Sequence, residues 1–360
     1  MCPSSRMALW VVLGSVAAGC AEVNEEDVGS KSTALYQQVH TLFVPAYFAQ
    51  DSVNSSMPDW NALGEDPDEV GYVVANAGRD WNGNDNQQPY TSDHLVHGGP
   101  GFRDDPTRIS DYVKARMRDV NYTGICTYGY VDFYPGRDAQ EIQDDIDAWV
   151  NQYGVCGIFF DDAARDQATQ GGIGRARYFA GVVRAAHGYS IFNWGGISNY
   201  TEGFVYCTVS DSPAVLFVTA EVDQYHYFND DAQYNYVQTY NTPSLQDWLY
   251  TYSPWHFIHL IHHMTPDGSM VRAVMDTAAQ RNAQQVYMTD LPNPNDPSDP
   301  ANPWKYLSGH NRPSQFDNFW KQVVESRTTV NYPGVSPDSP RVWPGVPCPA
   351  PTPTEGGPGT

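Results

Sequence analysis

The chain has 360 residues, of which 41 % are hydrophobic and 13 % aromatic, enough apolar side chains for a sizeable core. Its 42 acidic residues against 20 basic ones give a net charge of −22. Phosphate binding needs a basic surface, so this charge disfavours nucleic acid and anionic membranes as partners and leaves neutral or cationic ligands open.

The first residues have the pattern of an export signal. Arg6 precedes an apolar run over residues 7–18 that is too short to span a bilayer. Small residues then lead to Cys20 in a segment similar to a bacterial lipoprotein box, although Ala17 stands where Leu is usual. We therefore expect residues 1–19 to be a signal peptide, followed either by lipidation at Cys20 or by ordinary cleavage.

The expected location is extracytoplasmic, because either route exports the chain. The protein would be secreted or held at a bacterial membrane only through a lipid anchor at Cys20. Residues 20–39 are Glu-, Ser- and Gly-rich and are predicted to form a flexible tether.

Eight short apolar runs follow the tether. Their hydrophobic residues are continuous rather than alternating, which is typical of parallel strands buried on both faces. The runs span residues 41–48, 70–76, 124–130, 155–161, 189–193, 215–221, 255–262 and 285–290.

Segments with helical periodicity separate these runs. An apolar stripe covers residues 109–117, and a second covers 142–150 after Asp138 and Glu141, which have capping-box spacing. A closing helix is predicted at 316–323.

Alternation of strands and helices predicts right-handed crossovers and a parallel sheet. Eight units favour a closed α/β architecture, a single-domain (β/α)8 TIM barrel over residues 40–328. Residues 329–360 are rich in Pro and Gly, and this composition predicts a mostly disordered tail.

Four cysteines lie beyond the signal region, at Cys126, Cys156, Cys207 and Cys348. An even number in an oxidising compartment predicts disulfides, and all three connectivities are open. No Cys-x-x-Cys pair is present in the sequence, so a thiolate metal site is not expected.

The candidate site follows from the barrel, because active sites of this fold lie at the carboxyl ends of the strands. Nearly all of these ends are polar here, namely Tyr47, Asn76, Tyr130, Asp161 with Asp162, Asn193, Glu221, His262 with His263, and Asp290.

The adjacent carboxylates Asp161 and Asp162 end a very apolar strand, and Glu221 is the opposing carboxylate two strands later. One member of the pair is expected to face the mouth with a raised pKa, while the other hydrogen-bonds a neighbour and stays ionised. The alternative is that Asp161 caps the next helix or pairs with Arg137 or Arg165.

Four histidines, His256, His259, His262 and His263, cluster near the seventh run. In an extended strand their spacing places them on opposite faces, and no His-Glu-x-x-His is present in the sequence. We expect no catalytic metal and no cofactor, with His262 or His263 donating or accepting a hydrogen bond to substrate.

The ordered motifs resemble the spherulin-4 family (spherulation-specific family 4) over about residues 40–326. The matching elements are Phe43-Val-Pro-Ala-Tyr47, Asn76, Gly99-Pro-Gly101, Tyr128-Gly129, Arg137, Asp145-Ile-Asp147, Gly157-Ile-Phe-Phe-Asp161-Asp162, Asn193-Trp-Gly195, Glu221, His262 and Tyr287-Met-Thr-Asp290.

The resemblance implies a glycoside hydrolase similar to fungal endo-hydrolases of galactosaminogalactan, a partly deacetylated α-1,4-linked polymer. It places the functional carboxylates at Asp161, Asp162 and Glu221. Two departures are Asp162, where the family usually has Glu, and Asn193-Trp194, where it has Asn-Pro.

The sequence therefore predicts an exported hydrolase of an amino-sugar polysaccharide. Asp162 is the expected general acid, Glu221 the nucleophile or base, and Asp161 the orienting group, with the first two roles exchangeable. The predicted substrate contacts are Tyr47, Asn76, Tyr128, Tyr130, Arg137, Asn193, His262 and Asp290.

Three further expectations complete this prediction. A cationic polysaccharide would be attracted by the charge of −22. The first alternative is a glycan-binding barrel without turnover, favoured by Asp at position 162. The second alternative is a metal-dependent polysaccharide deacetylase that uses the histidines.

Overall fold

The computed structural model describes most of the predicted barrel and two short pieces beyond it. The described residues are 36–46, 61–64, 68–75, 120, 123–134, 136–163, 170–197, 201–212, 214–229, 248–291, 304, 319–327, 329–332 and 347–353. They belong to one unit, Leu35–Thr360. The predicted signal peptide, Cys20, the tether up to residue 35 and the helix at 109–117 lie outside them.

Eight parallel strands close into a barrel in sequence order, which confirms the predicted (β/α)8 fold. The barrel strands are β2 (Thr41–Ala46), β3 (Val70–Ala75), β4 (Cys126–Asp132), β5 (Gly157–Asp161), β6 (Tyr189–Asn193), β7 (Val215–Asp223), β8 (Phe257–His262) and β9 (Gln285–Met288). Pairing of β2 with β9 closes the ring.

The strand bodies are buried on both faces, which explains their continuous apolar composition. Strand β4 shows how the faces alternate. A Cβ at Gly129 would lie 2.3 Å from the ring of Trp149 in the outer layer, so Gly129 faces the helices. Tyr128 and Tyr130, one residue to either side, therefore face the barrel interior.

The helices between strands carry the expected caps. Helix α1 (Ala139–Ala148) begins after Asp138, whose carboxylate accepts from the backbone N–H groups of Gln140 and Glu141, and it continues as a π-helical turn, Trp149–Tyr153. The other helices are α2 (Gln170–Ala185), α3 (Thr201–Asp211), α4 (Gln224–Phe228), α5 (Gly268–Gln280) and α6 (Phe319–Glu325), with single 3₁₀ turns at Leu249–Thr251 and Pro254–His256.

An antiparallel ribbon lies at the amino-terminal end of the barrel. It pairs β1 (Tyr36–Val39) with β10 (Thr329–Tyr332). The buried His40 joins the ribbon to the barrel, because its ring nitrogens contact the carbonyls of Gln284 and Met275.

Two parts of the predicted disordered tail are ordered. Thr329–Tyr332 forms strand β10, and residues 347–353 lie against helix α2, where Thr352 N–H donates to Gly174 O at 3.2 Å. The disulfide Cys207–Cys348 fastens this second piece to helix α3, and Cys126–Cys156 joins β4 to the start of β5. Composition missed this order because a covalent cross-link and strand pairing offset the chain entropy that apolar burial alone would not.

Candidate active site

Three polar side chains from adjacent strands meet at the carboxyl end of the barrel. Asn193 at the end of β6 donates from Nδ2 to Asp161 Oδ1 at 2.7 Å and to Glu221 Oε2 at 2.6 Å. The two carboxylate oxygens are therefore separated by no more than the sum of these distances. Both hydrogens of one amide group link two acidic side chains.

The orientation of the Asn193 amide is fixed by its own loop. Gly195 N–H donates to Asn193 Oδ1 at 2.9 Å, so the amide nitrogen must face the carboxylates. Gly195 has φ +66, in the left-handed region that favours glycine, and its carbonyl accepts from Glu221 N–H at 3.1 Å. This single glycine thus connects the backbones that carry the bridge.

A bulge in β7 explains why Glu221 faces the barrel. The pairing with β8 shifts between Val218 and Ala220, which leaves Thr219 as the extra residue. Phe217 packs on Trp194 and Phe204 in the outer layer, and in a regular strand Glu221 would share that face. The bulge reverses the alternation and brings Glu221 to Asn193.

Asp161 accepts a second side-chain hydrogen bond, from the Tyr130 hydroxyl to Oδ2 at 2.9 Å. Loss of hydration nevertheless raises the pKa of Asp161 to about 6, although the donors from Tyr130 and Asn193 oppose that rise. Burial, and then the nearby charge of Asp161, raise the pKa of Glu221 to about 7. Asp161 accepts side-chain hydrogen bonds from both Tyr130 and Asn193, whereas Glu221 accepts one from Asn193, so the negative charge of the pair is better stabilised on Asp161.

Asp162 lies outside this bridged pair. It follows the last residue of β5, is exposed, and has φ +55, a left-handed conformation that Asp adopts more readily than most residues. Asp161 and Asp162 therefore have different surroundings, and the roles predicted for them stay predictions. The structure brings Asp161, rather than Asp162, together with Glu221.

Histidine and aromatic side chains form the β7–β8 side of the mouth. His262 at the end of β8 is 5 % exposed and packs edge-on against Trp304, with ring centroids 6.1 Å apart. It is in register with Asp223 on β7, whose carboxylate contacts His226 Nδ1 at 2.5 Å. Burial lowers the pKa of His262 to about 4, so the imidazole is neutral at physiological pH.

The other histidines of the predicted cluster are scattered. His256 contacts the carbonyl of Val215, and the buried His259 contacts the hydroxyl of Tyr227. His263 is exposed. Among the described residues, no group of three or more His, Cys, Asp and Glu side chains is arranged to hold a metal ion.

Arg137, a predicted substrate contact, is placed elsewhere by the structure. The residue is 4 % exposed, forms an ion pair with Asp145 and donates to Asp132 O at 2.6 Å. Arg175 donates to the carbonyl of Arg137 at 2.6 Å. The guanidinium of Arg137 thus holds the loop after β4 to helix α1.

Tyr128, another predicted contact, is a core residue. It is fully buried, pairs in register with Gly157 and packs edge-on against Tyr72 at 5.7 Å. A Cβ at Gly157 would lie 2.6 Å from the Tyr128 ring, so the missing side chain makes room for it. Tyr128 lies one inward-facing position below Tyr130 and does not reach the mouth.

The remaining predicted contacts are divided. Asn193 and Tyr130 contact the carboxylates directly. Asp290 follows β9 in a half-buried turn whose neighbour Leu291 accepts from His263 N–H at 2.7 Å. Tyr47 and Asn76 lie outside the described residues, so their roles stay predictions.

The sequence predicts Asn193 only as one substrate contact among several, and the bridge that Asn193 forms between Asp161 and Glu221 was not predicted. Its place on the strand between those of Asp161 and Glu221 is the available signal. The Asp223–His226 pair was also missed, although a spacing of three residues after a strand is typical of helix capping, and Asp223 does cap α4.

Comparison with protein families gives a match to spherulation-specific family 4 over residues 96–325. No curated protein matches the chain. Within the described residues, no helix combines the length and apolar character that crossing a membrane requires.

Solved structures with similar folds include active domain 2 of a chitinase from Pyrococcus furiosus in complex with chito-oligosaccharides. It has TM-score 0.48 and 11 % identity, over 83 % of this chain and 97 % of that one. A family 5 glycoside hydrolase from Prevotella bryantii, bound to a xyloglucan tetradecasaccharide, has TM-score 0.39 and 11 % identity, over 78 % and 86 %. A phospho-2-dehydro-3-deoxyheptonate aldolase from Thermotoga maritima has TM-score 0.41 and 11 % identity, over 80 % and 67 %. These likenesses concern the barrel alone.

Proposed function

This chain belongs to spherulation-specific family 4, and we propose that it is a glycoside hydrolase whose reacting carboxyl groups are Asp161 and Glu221. The observation that carries the proposal is the Asn193 bridge, which holds two acids of raised pKa side by side at the barrel mouth. Glycosidic bond cleavage uses such a pair, with one group protonated and the other ionised.

The separation of the two groups favours retention of configuration. Retaining glycosidases hold their carboxyl groups about 5–5.5 Å apart, whereas inverting enzymes leave about 6.5–9.5 Å for a water molecule. Each bridged oxygen lies within 2.7 Å of the same nitrogen, and this close approach favours the retaining arrangement.

In the proposed first step, the Asp161 carboxylate attacks the anomeric carbon and the glycosidic C–O bond breaks. Glu221 gives its proton to the departing oxygen, which leaves as an alcohol. In the second step, Glu221 takes a proton from water, the resulting hydroxide attacks the same carbon, and Asp161 is released as a carboxylate.

Asp162 has a different place in this mechanism from the one that the sequence suggested. We assign the acid role that was expected for Asp162 to Glu221. Asp162 itself is assigned to the rim of the mouth, because it is exposed and lies outside the Asn193 bridge. The one-methylene difference from the family's usual Glu then affects the rim rather than the reacting pair.

The proposed substrate is an amino-sugar polysaccharide similar to galactosaminogalactan, in keeping with the family. A polymer carrying free amino groups would be attracted by the net charge of −22, and this attraction would weaken as salt is added. We further propose export, with lipidation at Cys20 or secretion; metabolic labelling with palmitate, compared between the native chain and Cys20→Ser, would decide between the two.

The experiment that tests the proposal is release of reducing ends from galactosaminogalactan and from chitosan. Release by the native chain, with the anomeric configuration of the first product followed by NMR, would support hydrolysis with retention. Binding of either polymer without release, at any enzyme concentration, would support the glycan-binding barrel instead. If the native chain neither binds nor cleaves these polymers, both the glycoside hydrolase and the glycan-binding barrel are excluded.

A further inference from the structure

An exposed tyrosine stands beside the β7–β8 side of the mouth. Tyr225 is 61 % exposed, the largest fraction among the exposed large hydrophobic residues described. It lies in helix α4, which begins directly after β7, four residues beyond Glu221. An exposed tyrosine ring offers an apolar plane on which a sugar ring can stack, and the start of α4 places Tyr225 at the carboxyl end of β7, the strand that carries Glu221.

The ring of Tyr225 is held by its neighbours. His226 packs edge-on against it, with ring centroids 5.4 Å apart, and Asp223 fixes His226 through both its backbone N–H and Nδ1. A rigid aromatic platform costs little conformational entropy when a ligand binds.

His262 has a ring nitrogen with no hydrogen-bond partner in the described part of the protein. Its Nδ1 is buried, and no described group hydrogen-bonds to it. A buried polar atom without a hydrogen-bond partner destabilises the fold, because it has lost its water without gaining another partner. Its position at the end of β8, in register with Asp223, places it on the same side of the mouth as Tyr225.

We infer that Tyr225 and His262 form a sugar-binding subsite next to the Asp161–Glu221 pair, in which one sugar ring stacks on Tyr225 and presents a polar substituent to His262 Nδ1. This inference rests on the proposed function. The ligand is a hydroxyl- or acetamido-bearing sugar, and a uronic acid is disfavoured because the carboxylates of Asp161 and Asp223 would repel its own carboxylate.

The test measures kcat and KM on galactosaminogalactan for the native chain, Tyr225→Ala and His262→Leu. The matched control is Tyr189→Ala, because Tyr189 is also exposed, at 42 %, but begins β6 at the opposite end of the barrel. We expect KM to rise about tenfold in each mouth variant with kcat changed less, and no change in the control.

Thermal unfolding of His262→Leu separates binding from structure. Since Nδ1 has no described partner, its removal should leave the unfolding temperature unchanged or higher while KM rises. His262→Asn, which retains a polar atom near Nδ1, should recover part of the affinity. A lower unfolding temperature with unchanged KM would assign His262 a packing role and overturn the subsite.

The outcomes distinguish the two proposals. If the native chain cleaves the polymer and KM is unchanged in Tyr225→Ala and His262→Leu, the proposed subsite is excluded and the proposed hydrolase activity is supported. Absence of both cleavage and binding with the native chain removes the hydrolase and the subsite together.

Discussion

Two polar clusters lie close together along the chain and differ in how their charges are balanced. Behind β4, Arg137 pairs with Asp145 and is supported by Arg175, so cations neutralise the acid. At the mouth, the donors described for Asp161 and Glu221 are neutral: Asn193 donates to both acids, and Tyr130 donates to Asp161. The first cluster holds a loop in place, whereas the second is left with acids of raised pKa.

The difference shows what distinguishes a structural charge cluster from a reactive one. A buried acid paired with a guanidinium stays ionised and has no proton to give. Two acids bridged by an amide compete for one negative charge, so one of them holds a proton near neutral pH. Burial is common to both clusters, and the identity of the partner decides the chemistry.

The largest expected effect is on catalysis, from Glu221→Gln. It should lower kcat by about 10²–10⁴-fold because the leaving oxygen loses its proton donor. The free energy of unfolding should not fall, because the introduced amide carries no charge that would have to be buried. Reducing-end assays and thermal unfolding measure both, with the exposed Glu325→Gln as the control. Activity within threefold of the native value would exclude Glu221 as the acid.

Arg137→Met addresses the other cluster. It should lower the free energy of unfolding by about 3–5 kcal/mol, because it leaves Asp145 buried without its cation. The exposed pair of Arg272 and Asp276 provides the control, Arg272→Met, with an expected loss below about 1 kcal/mol. Urea titration measures both. A stable Arg137→Met protein with a raised KM would restore the predicted substrate contact.

Asn193→Ala should raise the pKa values of both Asp161 and Glu221, because each acid loses a donor to its ionised form. The expected cost is about 1–3 kcal/mol in kcat/KM, with the optimum displaced to higher pH. A pH profile of kcat/KM measures the displacement. A uniform loss of activity without displacement would reduce Asn193 to a substrate contact.

The smallest expected effect is on the pH dependence of stability. Both folded pKa values, about 6 and about 7, exceed the ordinary values of 3.8 and 4.5, so the folded state binds more protons between pH 4 and 7. Stability from this pair is therefore present below that window and is lost as pH rises through it.

The expected loss in the free energy of unfolding is on the order of 2 kcal/mol. It is smaller than the pKa values alone would imply, because solvent screens the partly exposed carboxyl groups of Asp161 and Glu221. Urea unfolding of the native chain and of the double variant Asp161→Asn, Glu221→Gln, measured at pH 4.5 and 7.5, isolates this contribution as the difference between them. If the free energy of unfolding changes equally between the two pH values in both proteins, folding does not raise the pKa values of Asp161 and Glu221.

Much of the barrel could be predicted from sequence because continuous apolar runs and polar strand ends are local features. The run at 189–193 coincides with β6, and the three side chains that the structure brings together, Asp161, Asn193 and Glu221, all stand at predicted strand ends. Period-two reasoning alone would have turned Glu221 outward, since the bulge at Thr219 leaves no sequence signal.

The partners of individual side chains could not be predicted. Arg137 lies in the loop after β4 and was expected to contact substrate, but its orientation depends on Asp145 in the next helix. The pairing of Cys207 with Cys348, 141 residues apart, was one of three possibilities. In both cases the deciding contact is tertiary.

The β1–β10 ribbon has a practical consequence for how the molecule can be attached to a surface. It joins the barrel at the end where the strands begin, and the mouth lies where they finish. A linker coupled just before Tyr36 therefore leaves the bridged carboxylates directed away from a bead or sensor chip. Immobilisation through that side should preserve access for a long polymer.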